Sequence, residues 1–333
     1  MMAAAHVPVM LSQVMAALAV VPGNVIVDGT FGAGGYTQAL LAAGATVIAF
    51  DRDPAAIAAG QRRFTGQDRL TLIQSPFGAL AECLAERQLV PVDGVVFDLG
   101  VSSMQLDDGA RGFSFRHDGP LDMRMSGEGP SAADLVNGCD EAVLADILYR
   151  FGEEKRSRAV ARMIVARRQI SPFERTLDLA EAIARVVAIP GQERIHPATR
   201  SFQALRIAVN GELDQLAAGL SGAEAVLKPH GRLAVVTFHS LEDRIVKRFL
   251  NERAQAANPS RHLPDVAAKV PSFILTRPGL ETPHPAETME NPRARSAKLR
   301  SAIRSDHRAW PLERAALGLW TPEFGAGRGR RQS

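Results

Sequence analysis

Short apolar runs separated by amphipathic stretches dominate the first hundred residues. Val25-Ile26-Val27, Thr46-Val47-Ile48-Ala49-Phe50, Leu70-Thr71-Leu72-Ile73 and Val95-Val96-Phe97 have the length and the continuous hydrophobicity of strands covered on both faces. Thr37 to Ala43 reads as a helix, and Asp53-Pro54 supplies an N-cap and a first helical residue for another. The next convincing strand, Leu233-Ala234-Val235-Val236-Thr237, is separated from Asp98 by 134 residues. A βα connection needs only a few loop residues and one helix, so this gap must contain an inserted domain. Apolar residues at three- and four-residue spacing predict helices over Glu141 to Tyr149, Glu154 to Gln169, Thr176 to Val187 and Ser201 to Leu220. The pattern predicts an α/β fold with a discontinuous main domain, residues 1–108 and 207–333, and a mainly helical insert, residues 109–206. Gly325 to Arg331 reads as a disordered tip.

The first strand runs directly into Asp28-Gly29-Thr30-Phe31-Gly32-Ala33-Gly34-Gly35-Tyr36. Strand, glycine loop and helix in that order hold nucleotide-like ligands at the carboxyl end of a sheet. The glycine spacing misses the dinucleotide fingerprint, since from Gly32 a small residue would be needed at Thr37. A short loop introduced by an acid suits S-adenosylmethionine (SAM) better. Asp51 ends the second strand 23 residues after Asp28, where a carboxylate can accept both ribose hydroxyls. Phe77, just past the third strand, reads either as an adenine-packing ring or as a core aromatic.

The fourth strand ends in Asp98-Leu99-Gly100-Val101-Ser102-Ser103. An exocyclic amine is a poor nucleophile because its lone pair is conjugated into the ring. Acceptors for its N–H groups restore electron density and align it for attack, and a strand-end carboxylate beside a glycine turn provides them. Phe113 and Phe115 follow in a polar, glycine-rich loop. They read either as rings that stack on an extruded base or as anchors of the loop on the core. His239 and Ser240 end the Leu233–Thr237 strand and read as RNA contacts or as structural groups.

Composition narrows the choices. The 333 residues carry 46% hydrophobic residues, an ordinary globular share, and a low 5% aromatic residues. Cys83 and Cys139 form no C-x-x-C pair and the histidines show no H-E-x-x-H spacing, which argues for a reducing cytosol and against a metal. No membrane span or signal peptide is visible, so a cytoplasmic location is expected. The net charge of +3 is uneven: −7 over residues 1–140, +4 over 141–206, −1 over 207–292 and +7 over 293–333. That asymmetry points to a polyanion met by the later parts of the chain.

Taken together, the motifs resemble the RsmH (MraW) family of SAM-dependent methyltransferases. The resemblance is carried end to end by His6 to Leu11, Asp28 to Tyr36, Asp51 to Pro54, Asp98 to Asp108, Arg111 to Phe115, Gly119 to Met125, His196 to Arg200, Val236 to Arg244 and Asn291 to Ser296. It implies a Rossmann-like SAM-dependent methyltransferase fold with an inserted helical substrate-recognition domain. It also implies methyl transfer to the N4 amine of a cytosine in 16S ribosomal RNA, by direct amine attack without a covalent intermediate. The implied SAM contacts are Gly34, Gly35, Tyr36, Asp51, Phe77, Asp98 and Gln105. Tyr36 departs from the family's usual histidine, and is harmless if the contact is through backbone. Catalytic candidates are Asp98, Ser102 and Phe115; substrate-binding candidates are Phe113, Arg158, Arg162, His196, Arg200 and His239. The expected partner is 16S rRNA within the small ribosomal subunit or a late precursor, bound by a monomer or homodimer. A nicotinamide-dependent oxidoreductase and a non-catalytic RNA-binding assembly factor are the alternatives.

Overall fold

The computed structural model describes residues 8–188, 196–255, 270–276 and 279–322; the tip at residues 325–331 and His6 and Val7 lie outside them. The described residues fall into two compact units, those within 1–100 and 213–319, and those within 101–212 and 320–333. The first is built on a seven-stranded sheet: β1 Val25–Asp28, β2 Thr46–Asp51, β3 Leu70–Gln74, β4 Val92–Asp98, β5 Leu227–Thr237, β6 Phe273–Leu275 and β7 Lys298–Arg304. Twelve helices matter below: α1 Leu11–Leu18, α2 Gly35–Ala42, α3 Pro54–Arg63, α4 Leu80–Glu86, α5 Ser103–Asp107, α6 Ala132–Gly138, α7 Glu141–Gly152, α8 Ser157–Arg168, α9 Thr176–Val187, α10 Thr199–Asn210, α11 Glu212–Val226 and α12 Ser240–Ala254.

The sheet order is β3-β2-β1-β4-β5-β7-β6. β1 to β5 are parallel, and β7 inserts antiparallel between β5 and β6. Val27, Phe50, Val95 to Phe97 and Leu233 to Val236 are all buried, which is why these strands read as continuous apolar runs. The chain moves outward from β1 to β3 and then returns to the other side of β1 with β4. Such a reversal opens a crevice at the carboxyl ends of the two central strands, and it is there that the glycine loop and Asp98 lie. Asp53 caps α3 as expected, its side chain accepting from the Ala55 N–H, with Pro54 at the first helical position. Among the described residues no helix is long and apolar enough to cross a membrane.

Two expectations need correction. Residues 201–220 do not form one helix: α10 ends at Asn210, Gly211 takes φ 59°, and α11 begins anew. The left-handed conformation favours glycine. The buried Asn210 side chain fixes the break, donating to the Met123 and Arg206 carbonyls at 2.8 and 2.9 Å and accepting from the Met125 N–H at 2.9 Å. The second correction concerns the basic end of the chain, expected to meet a polyanion. Lys298, Arg300 and Arg304, part of that +7 segment, lie in β7. Lys298 and Arg300 pair with Asp243 at 3.1 and 2.7 Å, and Arg304 donates to the Glu224 and Ser272 carbonyls. Those three cations are spent inside the fold.

Behind β7, Glu224 of α11 and Arg253 of α12 form an ion pair at 2.7 Å with both side chains fully buried. Ser272 Oγ and the Trp310 N–H donate to the other carboxylate oxygen at 2.5 and 3.1 Å, and the Arg253 guanidinium sits 3.9 Å from the Phe249 ring centre. The charges are therefore compensated as a buried pair must be.

Candidate active site

The glycine loop is built by the ends of β1, β2 and β4. The Gly29 N–H donates to Val96 and the Phe31 N–H to Phe50, so the loop continues both neighbouring strands by one bond each. Asp28 is buried; its carboxylate accepts from the Thr30 N–H at 3.2 Å and from Thr37 Oγ at 2.7 Å. Burial raises its pKa from 3.8 to about 6, aided by the nearby Asp51 charge and opposed by those two hydrogen bonds. Gly34 opens α2 at φ 76° with no side-chain cap. A Cβ there would lie 2.8 Å from the Phe31 ring and 2.9 Å from that of Phe64. Only glycine gives this turn and leaves the first N–H groups of α2 uncovered by a side chain.

Asp51, at the end of β2, holds the loop from the other side. One carboxylate oxygen accepts from the Gly32 N–H and the other from the Asp53 N–H, both at 2.8 Å. Burial raises its pKa against the lowering effect of those two donors. Each oxygen keeps a second lone-pair direction for a hydroxyl donor. Phe77 is half-buried, its ring tilted 43° against Phe97 at 5.0 Å and close above Gly219 of α11, where a Cβ would lie 2.5 Å from it. The packed side serves the core reading, and the ring is not fully enclosed. The Tyr36 hydroxyl donates to the Val9 carbonyl and the ring is buried. Its side chain is committed to the amino-terminal segment, so a ligand at this position would meet Tyr36 through its backbone.

Asp98 is the unusual group. Its N–H donates to Thr30 Oγ at 2.7 Å, tying the end of β4 to the glycine loop. Its Oδ1 is shielded from solvent and has no hydrogen-bond partner among the described residues. Burial pushes its pKa well above the usual carboxylate range, and the charges of Asp28 and Glu242 push it further. A buried acceptor left open is expensive for the fold, about 1–3 kcal/mol, and such groups concentrate where a ligand completes them. Glu242 belongs to the cap of α12, accepting from the Phe238 and His239 N–H groups at 2.8 and 3.2 Å. His239 is the N-cap residue, its Nδ1 accepting from the Glu242 N–H at 3.4 Å. Its buried Nε2 lies 3.1 Å from a Glu242 oxygen but out of hydrogen-bond alignment.

The remaining candidates belong to the second unit. Ser102 and Gln105 form a capping box on α5: Ser102 Oγ accepts from the Gln105 N–H at 3.2 Å, and Gln105 Oε1 from the Ser102 N–H at 3.1 Å. Ser102 is thus a turn-forming group. Phe113 is only 7% exposed, beneath the Arg111 guanidinium, and its burial fits the anchoring role. Phe115 stands half-buried in an aromatic cluster, 4.5 Å from His196 and 4.8 Å from Phe202 between ring centres. Arg158, Arg162, His196 and Arg200 are exposed. Arg162 lies 3.7 Å from Glu141, and Arg200 donates to the Glu153 carbonyl at 3.4 Å.

From the sequence, Thr30 and Glu242 have no role of their own, and Asp28 is marked as the acid that opens the candidate SAM loop, residues 28–36. The signal for Asp28 and Thr30 is local: an Asp-x-Thr turn with a second threonine at the start of the helix. Glu242 acts across 144 positions from Asp98, and only its place three residues after His239 marks it as a capping residue.

Comparison with known proteins places these residues in context. Residues 3–305 match the MraW methylase family. A protein of Methylorubrum populi described as ribosomal RNA small subunit methyltransferase H is 59% identical over 334 residues, spanning 99% of this chain and 95% of the relative. A Caulobacter vibrioides protein of the same description is 58% identical over 315 residues, covering 93% of this chain and 99% of its own. One from Azorhizobium caulinodans is 54% identical, with 99% and 95% coverage.

Proposed function

Because the chain belongs to the MraW methylase family, we propose that it transfers a methyl group from SAM to the exocyclic N4 amine of a cytosine in 16S rRNA. The names of the relatives support a small-subunit RNA as substrate, and a methylase family favours this reading over an oxidoreductase. The observation that carries the chemistry is the shielded, unpartnered Oδ1 of Asp98 at the end of β4.

The loop fits SAM. Gly34, Gly35 and Tyr36 would present the backbone of the α2 start to it, Asp51 would accept the ribose hydroxyls, and Phe77 would border the adenine. Asp98 and Gln105 complete the contact set. When bound, SAM supplies an electrophilic methyl on a positively charged sulfur. Asp98 accepts an N–H of the target amine, which localises the lone pair on nitrogen and fixes its direction. The amine must shed a proton on alkylation. A carboxylate whose proton affinity is raised by burial and by Asp28 and Glu242 is matched to receive it. Phe115 would supply a ring face for the cytosine, and Ser102 caps α5. His239 caps α12 just past the end of β5 and would contact the substrate from there. The second unit is the RNA-recognition domain, with Arg158, Arg162, His196 and Arg200 as contacts.

Mass mapping of 16S rRNA from cells with and without this protein tests the proposal. Loss of one methyl from the N4 of a single cytosine is the expected result, and an unchanged methylation pattern would overturn it.

A further inference from the structure

One surface of the second unit has no role in the reaction as described. Between the end of α7 and the start of α8 lies a groove of about 520 Å³, within the range of small-ligand pockets, about 300–1,000 Å³. Tyr149, Arg150, Lys155, Arg156 and Arg158 line it against one carboxylate, Asp146. The opposite face of α7 carries the core residues Leu144, Ile147, Leu148 and Phe151, so Tyr149 is turned outward and is 61% exposed. Arg150 is held in place over the Trp320 ring at 4.9 Å, and Trp320 packs on Phe151 at 5.4 Å. The side chains of Lys155, Arg156 and Arg158 form no hydrogen bond or ion pair among the described residues; Arg156 bonds through its backbone, its N–H donating to Glu154 and its carbonyl accepting from the Val160 N–H.

Four cations facing one groove repel each other, and a polyanion relieves that repulsion. An exposed ring among them adds what phosphate binding does not need, a face on which a base can stack. A duplex hides its base faces, so the pairing of ring and cations selects an unpaired nucleotide. Accepting the RNA-substrate reading above, we propose that this groove holds one unpaired nucleotide of the substrate strand, its base on Tyr149 and its phosphates on Lys155, Arg156 and Arg158. Arg162 does not line the groove and is drawn to Glu141, which makes it peripheral to the contact.

The test uses the full chain and two fluorescently labelled probes, a mixed-sequence single-stranded RNA and the blunt duplex of the same sequence. Tyr149→Ala should weaken binding of the single strand about tenfold, the loss expected for one stacked base, and leave the duplex affinity unchanged. Tyr149→Phe keeps the ring face and should bind as wild type; Tyr149→Leu keeps the apolar volume without it and should lose as much as the alanine variant. Lys155→Glu should reduce the slope of log affinity on log salt for the single strand by about 0.7. Single-strand affinity that is unchanged in both Tyr149→Ala and Tyr149→Leu, or equal losses for strand and duplex, would overturn the proposal. Methylation of small-subunit RNA by the wild-type protein is measured alongside. If that methylation is present while Tyr149 proves indifferent, the groove assignment alone is wrong; if it is absent while the Tyr149 effect holds, the proposed reaction is wrong.

Discussion

Three carboxylates near the glycine loop share one physical condition. Asp28, Asp51 and Asp98 are each pushed upward in pKa by burial, but their partners differ. Asp28 and Asp51 are satisfied by loop donors; Asp98 Oδ1 is not. For Asp28 the folded pKa of about 6 exceeds the ordinary 3.8. The protonated form is thus favoured by folding. Its stabilising contribution is complete below 3.8, shrinks as the pH rises toward 6, and amounts to about 3 kcal/mol. Asp28→Asn can keep both hydrogen bonds and does not ionise. Urea unfolding at about pH 4 and about pH 7 should show the variant gaining on wild type at the higher pH by a substantial part of that figure. An equal difference at both pH values would place the titration elsewhere. Asp51→Ala should weaken SAM binding by about 1.5–3 kcal/mol, the loss of charge-assisted hydrogen bonds. It should also destabilise the fold, because the Gly32 and Asp53 N–H groups lose their acceptor. Calorimetry showing wild-type SAM affinity would remove Asp51 from the site.

At the scale of the elements, β1 to β4 and the second half of β5 are legible as apolar runs, whereas the three-residue β6 and the charged β7 are not. β1, β2, β4 and the end of β5 announce themselves because both faces are covered, half-exposed β3 by its apolar residues alone, and α9 ends where its periodicity ends. β7 hides behind Lys298, Arg300 and Arg304, which look like a solvated basic segment until Asp243 and Glu224, more than fifty positions away, are brought to them. The alternation of Leu299, Ser301 and Ile303 with those cations is a period-2 signal that charge conceals. The Glu224–Arg253 pair is invisible for the same reason, since nothing local marks a glutamate in a helix as buried. Removing one partner leaves an uncompensated charge, so Arg253→Ala should cost about 3–5 kcal/mol. Thermal unfolding at the wild-type midpoint would show that solvent reaches Glu224. Of the α8 arginines, Arg167 pairs with Asp178 and Arg168 donates to the Val136 and Cys139 carbonyls, whereas Arg158 and Arg162 are exposed. Helical geometry already excludes one shared face, but only the neighbours decide which arginines are structural.

For the molecule as a whole, the crevice between β1 and β4 is readable, because a glycine loop and a strand-end acid are local motifs. The charge asymmetry was only half informative: the basic helical unit keeps its exposed cations, and the basic carboxyl-terminal segment spends three of them internally. RNA affinity should therefore respond to the helical unit. Reversing Arg158 and Arg162 to Glu should weaken RNA binding and lower its salt slope by up to about 0.7–0.9 for each phosphate that is no longer neutralised, with SAM affinity unaltered. An unchanged salt slope would show that α8 does not face the RNA. The central claim is that Asp98 is kept open and proton-hungry for the amine rather than for the fold. Single-turnover methyl transfer by Asp98→Ala, measured with saturating SAM on small-subunit RNA, tests this most directly. The expected rate is about a hundredfold or more below wild type, in a protein that still unfolds cooperatively and no less stably; transfer at the wild-type rate would contradict the claim.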